Sequence, residues 1–202
     1  MSGLGEGSDG RLRCSWGLSA PDYIAYHDDE WGRPVTDDRG IYEKLTLEAF
    51  QSGLSWLTIL RKRDNFRSAF DGFDFERVAI YGDGDVERLM ADAGIVRNRA
   101  KIDAAIANAR AAHDLVAGGE SLAALAWSHR PDAERAPGSM EEVPATTPES
   151  KALAKELKRR GFRFVGPTTA YALMQAVGIV NDHMEGCLVR AEVEAARERV
   201  RL

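Results

Sequence analysis

Cys14 and Cys187 are the only cysteines in this chain, 173 positions apart, and each has a histidine near it. His27 follows Cys14 by thirteen residues, and His183 precedes Cys187 by four. If these cysteines act together, the fold must bring distant parts of the sequence into contact. A long-range disulfide does that, and so does a shared metal site; the histidines favour the metal. On a helix, His183 and Cys187 would lie one turn apart on one face, so an imidazole and a thiolate could meet one ion. A Cys2His2 set is a closed tetrahedral shell, the chemistry of structural rather than catalytic zinc. The plainer account is a pair of buried free cysteines beside unrelated histidines. Spacing alone leaves it open, because Cys14 and His27 form no compact knuckle.

The 202 residues suffice for one domain, or two small lobes, around a real core. With 44% hydrophobic and 29% charged residues, wholesale disorder is excluded. Apolar runs fall far short of the roughly 20 residues a membrane span needs. Ser2–Gly10 is Gly/Ser-rich without a signal-like apolar stretch, so residues 1–10 read as a flexible leader. These features, with a metal role for the cysteines, predict a reducing, cytoplasmic setting and no membrane. The net charge of −5 argues against a highly basic nucleic-acid binder but leaves room for a local basic face.

The pattern is helical nearly throughout, and the expected fold class is all-α. From Asp37 to Leu60, apolar residues recur at three- and four-residue steps, with Gly53 as a bend or junction. Val86–Ala93 and Arg99–Ala117 repeat the helical period and stop at glycines. Arg130–Pro148 holds four prolines and reads as loop over most of its length. Thr147-Pro148 looks like an N-cap followed by proline at the first helical position. That helix runs through Lys151–Arg160, and a second follows Pro167 through Tyr171–Val177.

Between these two helices, Gly161 and Gly166 flank Phe162, Arg163, Phe164 and Val165, with Thr168 just beyond. Glycines at both ends make a tight hairpin that lets backbone approach a partner. The second helix aims its free N–H groups out of the hairpin, a terminus that suits a phosphate. From Lys151 to Arg163, six basic residues face one acid, Glu156, a local balance of +5. A solvated helix face explains this as well as a helix-hairpin-helix gripping a nucleic-acid backbone without reading sequence.

Trp16, Tyr23, Tyr26, Trp31 and Trp56 crowd into one 41-residue stretch. Such rings either fill a helical core or stack on a flipped base. Glu48 interrupts their apolar surroundings, where an unpaired carboxylate is expensive to bury. A surface ion pair with Lys44, one turn earlier, is its ordinary explanation. Trp56 lies ~80° around and ~12 Å along an ideal helix from Glu48, so a shared pocket needs long side-chain reach or a bend near Ser52-Gly53.

Cys14-Ser15-Trp16, Tyr23 through Gly32, Leu47 through Trp56, Gly94 through Ile102 and Asn108-Ala109-Arg110 together resemble the 3-methyladenine DNA glycosylase I family. So do Lys158 through Gly166, Met174 through Gly178, and Asn181-Asp182-His183 with Cys187. The resemblance runs in order from about Arg13 to Cys187. It implies a helix-hairpin-helix DNA glycosylase fold with a structural zinc ion on Cys14, His27, His183 and Cys187 joining the N- and C-terminal segments. Residues 11–189 would then form one glycosylase domain of two helical lobes, with the helix-hairpin-helix at about 148–178. Residues 190–202 would be a charged tail. The implied reaction is hydrolysis of the N-glycosidic bond of 3-methyladenine in double-stranded DNA, by a monomeric repair enzyme that yields the free base. Glu48 would be the catalytic residue, hydrogen-bonding the excised base or activating water, in a pocket walled by Trp16, Tyr23, Tyr26 and Trp56. The hairpin residues Gly161 to Gly166 and Thr168 would bind DNA. Asp182 is a second candidate acid. Two alternatives stand beside this reading: a non-enzymatic lesion binder on the same scaffold, and a glycosylase for a different alkylated base.

Overall fold

Helix caps written in the sequence set most of the element boundaries in the computed structural model, which describes residues 3–132 and 135–202. Helix α1 spans Pro21–Asp29, with proline in its first turn. Helix α2 (Asp38–Gln51) starts where the Asp37 side chain accepts from Gly40 N, and α3 (Trp56–Ala69) where the Ser55 hydroxyl accepts from Thr58 N. The expected bend at Gly53 is a chain reversal, with Gly53 at φ +81° between two separate helices. Short helices α4 (Phe75–Ala79) and α5 (Asp83–Ala91) lead to α6 (Arg99–Ala117), capped by Asn98, and then α7 (Leu122–Trp127). Helix α8 (Pro148–Arg159) opens with Thr147 and Ser150 capping each other, and α9 spans Pro167–Ala176.

Helix α2 is the centre of this arrangement. It packs on α3, α6, α7 and α9, burying Ile41, Tyr42, Leu45, Leu47 and Phe50, while α8 packs against α9. With a buried stripe on so many sides, α2 has little freedom to shift, and the polar groups at its C-terminal end inherit that rigidity.

The fold is mostly helical, as expected, with one addition and two corrections. Leu4–Glu6 (β1) pairs antiparallel with Leu12–Cys14 (β2), Leu4 opposite Cys14. Three-residue strands are too short to show alternation. The same strand means that residues 4–6, read as flexible leader, are ordered against β2; Met1 and Ser2 lie outside the described residues. Finally, the charged tail contains helix α10 (Arg190–Arg197), whose Val193 and Arg197 are buried. The Arg197 guanidinium donates to Gly178 O and Ile179 O, both at 2.7 Å, and pairs with Glu194 at 2.7 Å. A charge count hides this role, since a buried arginine and a surface arginine look alike in sequence.

Replacing Arg197 by leucine leaves two buried carbonyls without their donor. The expected cost is about 2–4 kcal/mol, or a Tm loss of roughly 5–15 °C for a chain of this size, read by thermal unfolding. A loss under 2 °C would mean α10 is only loosely attached.

Candidate base pocket and metal centre

Cys14 ends β2, His27 sits on α1, and His183 and Cys187 come from the segment after α9. That segment is not helical. Gly186, at φ +85°, turns the chain so that Cys187 N bonds Met184 O at 3.0 Å, which brings His183 and Cys187 together by a turn. Both cysteines are free, so the disulfide alternative falls. All four side chains are buried, and their ligating atoms lie within 4.8 Å of one another. Cys187 Sγ is 3.5 Å from His27 Nε2 and 3.7 Å from His183 Nδ1, and Cys14 Sγ is 3.8 Å from His183 Nδ1. Edges of this size match a tetrahedron of sulfur and nitrogen about 2.3 and 2.0 Å from a central ion, for which the S···N edge is about 3.5 Å.

Outer partners orient the imidazoles. His27 Nδ1 is 2.7 Å from Asp28 Oδ1, and His183 Nε2 donates to Trp31 O at 3.1 Å, so each ring turns its other nitrogen towards the cluster. Asp28 also accepts from Arg13 Nε and Nη2, and Arg13 reaches Asp9 at 2.8 Å. Burial pushes the Asp28 carboxyl up, but Arg13 and His27 outweigh it and hold it below the usual range. The cluster can therefore hold one ion in a closed shell of two sulfurs and two nitrogens.

Beside it opens a cavity of about 370 Å³. Trp16, from the 3-10 turn Ser15–Leu18, meets Tyr23 edge-on at 5.6 Å and Trp31 at 4.9 Å, and Tyr26 faces Trp56 at 5.4 Å. Glu48 and Gln51 enter from α2, Ala172 and Gln175 from α9, and Met140 from the proline-rich loop. Lys101 holds the α2–α3 reversal that brings Trp56 beside Glu48, its ammonium donating to Phe50 O (2.8 Å) and Ser52 O (2.5 Å). The sequence contained that lysine in a recognisable segment but carried no sign of this reach across the fold.

Glu48 is 7% exposed, and no described residue hydrogen-bonds its carboxyl. Burial pushes it up to about 8, with the positive charge of Lys44 acting in the other direction. The expected surface pair with Lys44 does not form. Lys44 is itself buried, hydrogen-bonds Glu30, and stands 5.7 Å from the centre of the Tyr26 ring. Glu30 also accepts from Arg63 at 2.6 Å, so the lysine's charge is satisfied away from the cavity. The indole Nε1 of Trp56 is buried without a partner among the described residues. A flat ring carrying N–H donors and positive charge matches these walls: aromatic faces for stacking and a lone carboxyl to accept.

The hairpin between α8 and α9 has Gly161 at φ +95° and an exposed Phe164 at φ +54°, with Phe162 and Val165 buried. Asn108 brackets it, accepting from Arg163 N (2.6 Å) and donating to Arg163 O (3.1 Å). Gly166 caps α9 at φ −84°, and a Cβ placed there would meet no atom within 4 Å; Thr168 lies in the first turn of α9. Arg159 pairs with Glu156, and Arg160 with Glu156 and Glu120, so two of the six counted cations are spoken for. Asp182 does not line the ring-walled cavity; its Oδ2 accepts from Tyr171 Oη (2.6 Å) and Gln175 Nε2 (2.7 Å).

A helical scaffold with a ring-walled cavity, a buried acid and a Cys/His cluster is the setting in which comparison with known proteins becomes informative. A family model described as methyladenine glycosylase matches residues 16–191, and the chain belongs to that family. It is 49% identical over 178 residues to DNA-3-methyladenine glycosylase 1 of Escherichia coli (strain K12), covering 87% of this chain and 95% of that protein. A crystal structure of 3-methyladenine DNA glycosylase I superposes with a TM-score of 0.84 at 49% identity, over 87% of this chain and 98% of that one. A Staphylococcus aureus 3-methyladenine DNA glycosylase I, from a structure concerned with 3-methyladenine recognition, gives 0.83 at 31% identity over 88% and 96%.

Glu48 generates a pH-dependent prediction. A carboxyl whose folded pKa is raised from 4.5 to about 8 favours folding in its neutral form, and this contribution is lost progressively as pH rises from about 4.5 to about 8. Glu48→Gln should therefore match the wild-type Tm near pH 4 and exceed it by several degrees near pH 9, followed by thermal melts across that range. A constant difference at all pH values would place the carboxyl in water.

Proposed function

We propose that this chain is a base-excision-repair enzyme that hydrolyses the N-glycosidic bond of 3-methyladenine in double-stranded DNA, with Glu48 and the rings around it receiving the flipped base. The observation that carries this reading is the Glu48 carboxyl, buried at a ring-walled cavity with no hydrogen-bond partner among the described residues. Burying such a group costs stability, and an incoming base with an amino edge supplies what it lacks.

Methylation at N3 makes the nucleotide's base a cation. Trp16, Tyr23, Tyr26 and Trp56 present faces to it, a contact worth about 0.5–2 kcal/mol per well-placed ring. A cation beside Glu48 favours the carboxylate, so binding draws its pKa down from about 8 and leaves it ionised at neutral pH. Ionised Glu48 accepts from the amino edge and complements the positive charge. As the C1′–N9 bond breaks, its electron pair neutralises the departing base. The sugar passes through an oxocarbenium-like state that water attacks. In this reading Glu48 is the catalytic residue because it touches the reacting base.

The helices α8 and α9 with their hairpin act as a helix-hairpin-helix on the DNA backbone through residues 161–166 and Thr168. Buried Phe162 and Val165, with Asn108 pinning Arg163, support this: they fix the hairpin while leaving the N-terminus of α9 uncovered. Cys14, His27, His183 and Cys187 hold a structural zinc ion, supported by a donor set and spacing that suit tetrahedral coordination. A zinc bound there leaves no open position for water, so it supplies rigidity and takes no part in hydrolysis. Residues 11–189 work as one glycosylase domain, to which α10 also belongs. Reduced, buried cysteines suit a cytoplasmic setting.

Chromatography of bases released from methylated DNA, with metal analysis of the same sample, tests the main reading. It should show 3-methyladenine as the principal product and one zinc per chain. Glu48→Gln should cut release by at least about tenfold while zinc content holds. Tight binding of methylated DNA without release would make the protein a lesion binder; release of mainly another base would change the substrate.

For the hairpin, Gly166→Val adds a side chain where no protein atom stands in the way. Affinity for DNA containing an abasic site should fall several-fold with little change in Tm, read by fluorescence anisotropy. Unchanged affinity would remove Gly166 from the interface.

A further inference from the structure

The β1–β2 hairpin wraps the Cys/His cluster, and its residues line none of the ring-walled cavity. Gly3 O accepts from Ser15 N at 2.9 Å, and Leu12 O accepts from Leu188 N at 2.9 Å. Leu4 packs on the small apolar cluster of Cys14, Met184, Cys187 and Val189. Gly3 fits so closely that a Cβ there would stand 2.6 Å from Met184 Sδ and 3.1 Å from Ser139 Cα. Arg13, 4% exposed, forks between two carboxylates. It meets Asp9, between the two strands, at 2.8 Å to each oxygen, and Asp28 at 2.8–3.0 Å. Asp28 Oδ1 in turn lies 2.7 Å from His27 Nδ1. The hairpin thus bears on the turn that carries Cys187, and its arginine on the residue that orients His27.

We propose that the hairpin of residues 3–14 is a clasp that sets how long the cluster keeps its ion, with Arg13 as the positioning residue. A closed four-ligand shell has no vacant place for a competing donor, so it gives up an ion only as its own ligands detach one after another. Cys187 swings out only if its turn moves away from Gly3, Leu4 and Leu12. His27 swings out only if its Nδ1 leaves Asp28, whose two oxygens Arg13 holds. Bidentate arginine–carboxylate pairs fix geometry as well as adding energy, and a buried one is little screened by salt. Apart from Cys14 itself, the hairpin adds no donor to the shell; it acts through Cys187 and His27 and slows their departure. Partners behind metal-bound histidines are typically worth about 10–100-fold in metal affinity. The proposal rests on the metal reading above.

The test is the rate at which zinc-loaded protein passes its ion to an excess of a zinc-binding pyridylazo dye at neutral pH, read by absorbance. Gly3→Val pushes the strand off Met184 and should speed release by about tenfold or more. Arg13→Gln, which cannot fork between Asp9 and Asp28, should do the same, and Arg13→Lys, which keeps the charge without the fork, should fall between it and wild type. Asp9→Ala alters only an exposed carboxylate and should speed release about threefold with little change in Tm. Leu89→Ala, in the main core, is the control for general loosening: it should lower Tm yet leave release within about twofold of wild type. Release within about twofold of wild type in both Gly3→Val and Asp9→Ala would overturn the proposal. So would equal acceleration in Leu89→Ala at the same loss of Tm. Wild type that takes up no zinc would overturn the metal reading, and the proposal with it.

Discussion

Cys187 Sγ stands 3.5 Å from His27 Nε2 across 160 residues of chain, and the position of α1 follows from that contact. His27 is fixed at the cluster by one ring nitrogen and at Asp28 by the other. Tyr23 and Tyr26, on the same helix, are then placed at the cavity, and Trp16 follows two residues after Cys14. Trp31 contributes twice, with its ring against Trp16 and its carbonyl accepting from His183. The cavity's aromatic wall is therefore an extension of the Cys/His cluster. An ion bound there would fix the wall by pinning its supports, without touching whatever the cavity holds.

Buried charge is distributed by a consistent rule. Lys44, Lys101 and Arg197 are all inside the protein, and each donates to a named carboxylate or carbonyl. Every one of them holds something the cavity or cluster needs: the network behind Tyr26, the reversal before Trp56, and the backbone at Gly178 and Ile179. Glu48 breaks the rule. Its only electrostatic relief is the charge of Lys44, which is already engaged by Glu30. An exception of this kind in an otherwise well-paired interior is expected where a protein keeps a group ready for a guest.

The sequence was most informative where the physics is local. Asp37, Ser55, Asn98 and Thr147 mark helix starts because a cap is decided within four residues. Gly53 announced a bend or junction, and of the two routes by which Glu48 and Trp56 could share a pocket, long reach or a bend, the structure uses the bend. Non-local choices were illegible. Spacing put His183 and Cys187 on a helix, but Gly186 brings them together by a turn instead. Spacing likewise offered Lys44 to Glu48, while Glu30, fourteen residues away in sequence, took it. Nothing near Lys101 and Arg197 in sequence reveals the carbonyls they serve. Gln175 and Asp182 carried family-like neighbours, yet the hydrogen bond between them appears only once α9 and the following segment are placed.

The register of the N-terminal strands has a consequence in time as well as in space. Leu4 pairs with Cys14, while Cys14 itself meets Met184 and His183, about 170 residues later. During synthesis the first pieces of the cavity wall can meet Trp56 and Arg63 once α3 is made, but Cys14 has no His183 beside it until nearly the whole chain exists. Trp16, Tyr23 and Tyr26 can pack on one another and on Trp56 early, while the cluster behind them stays incomplete until the segment after α9 is made. The Cys/His cluster is thus the last support the ring-walled cavity acquires, and a nascent chain halted before Cys187 would carry its rings with that support incomplete.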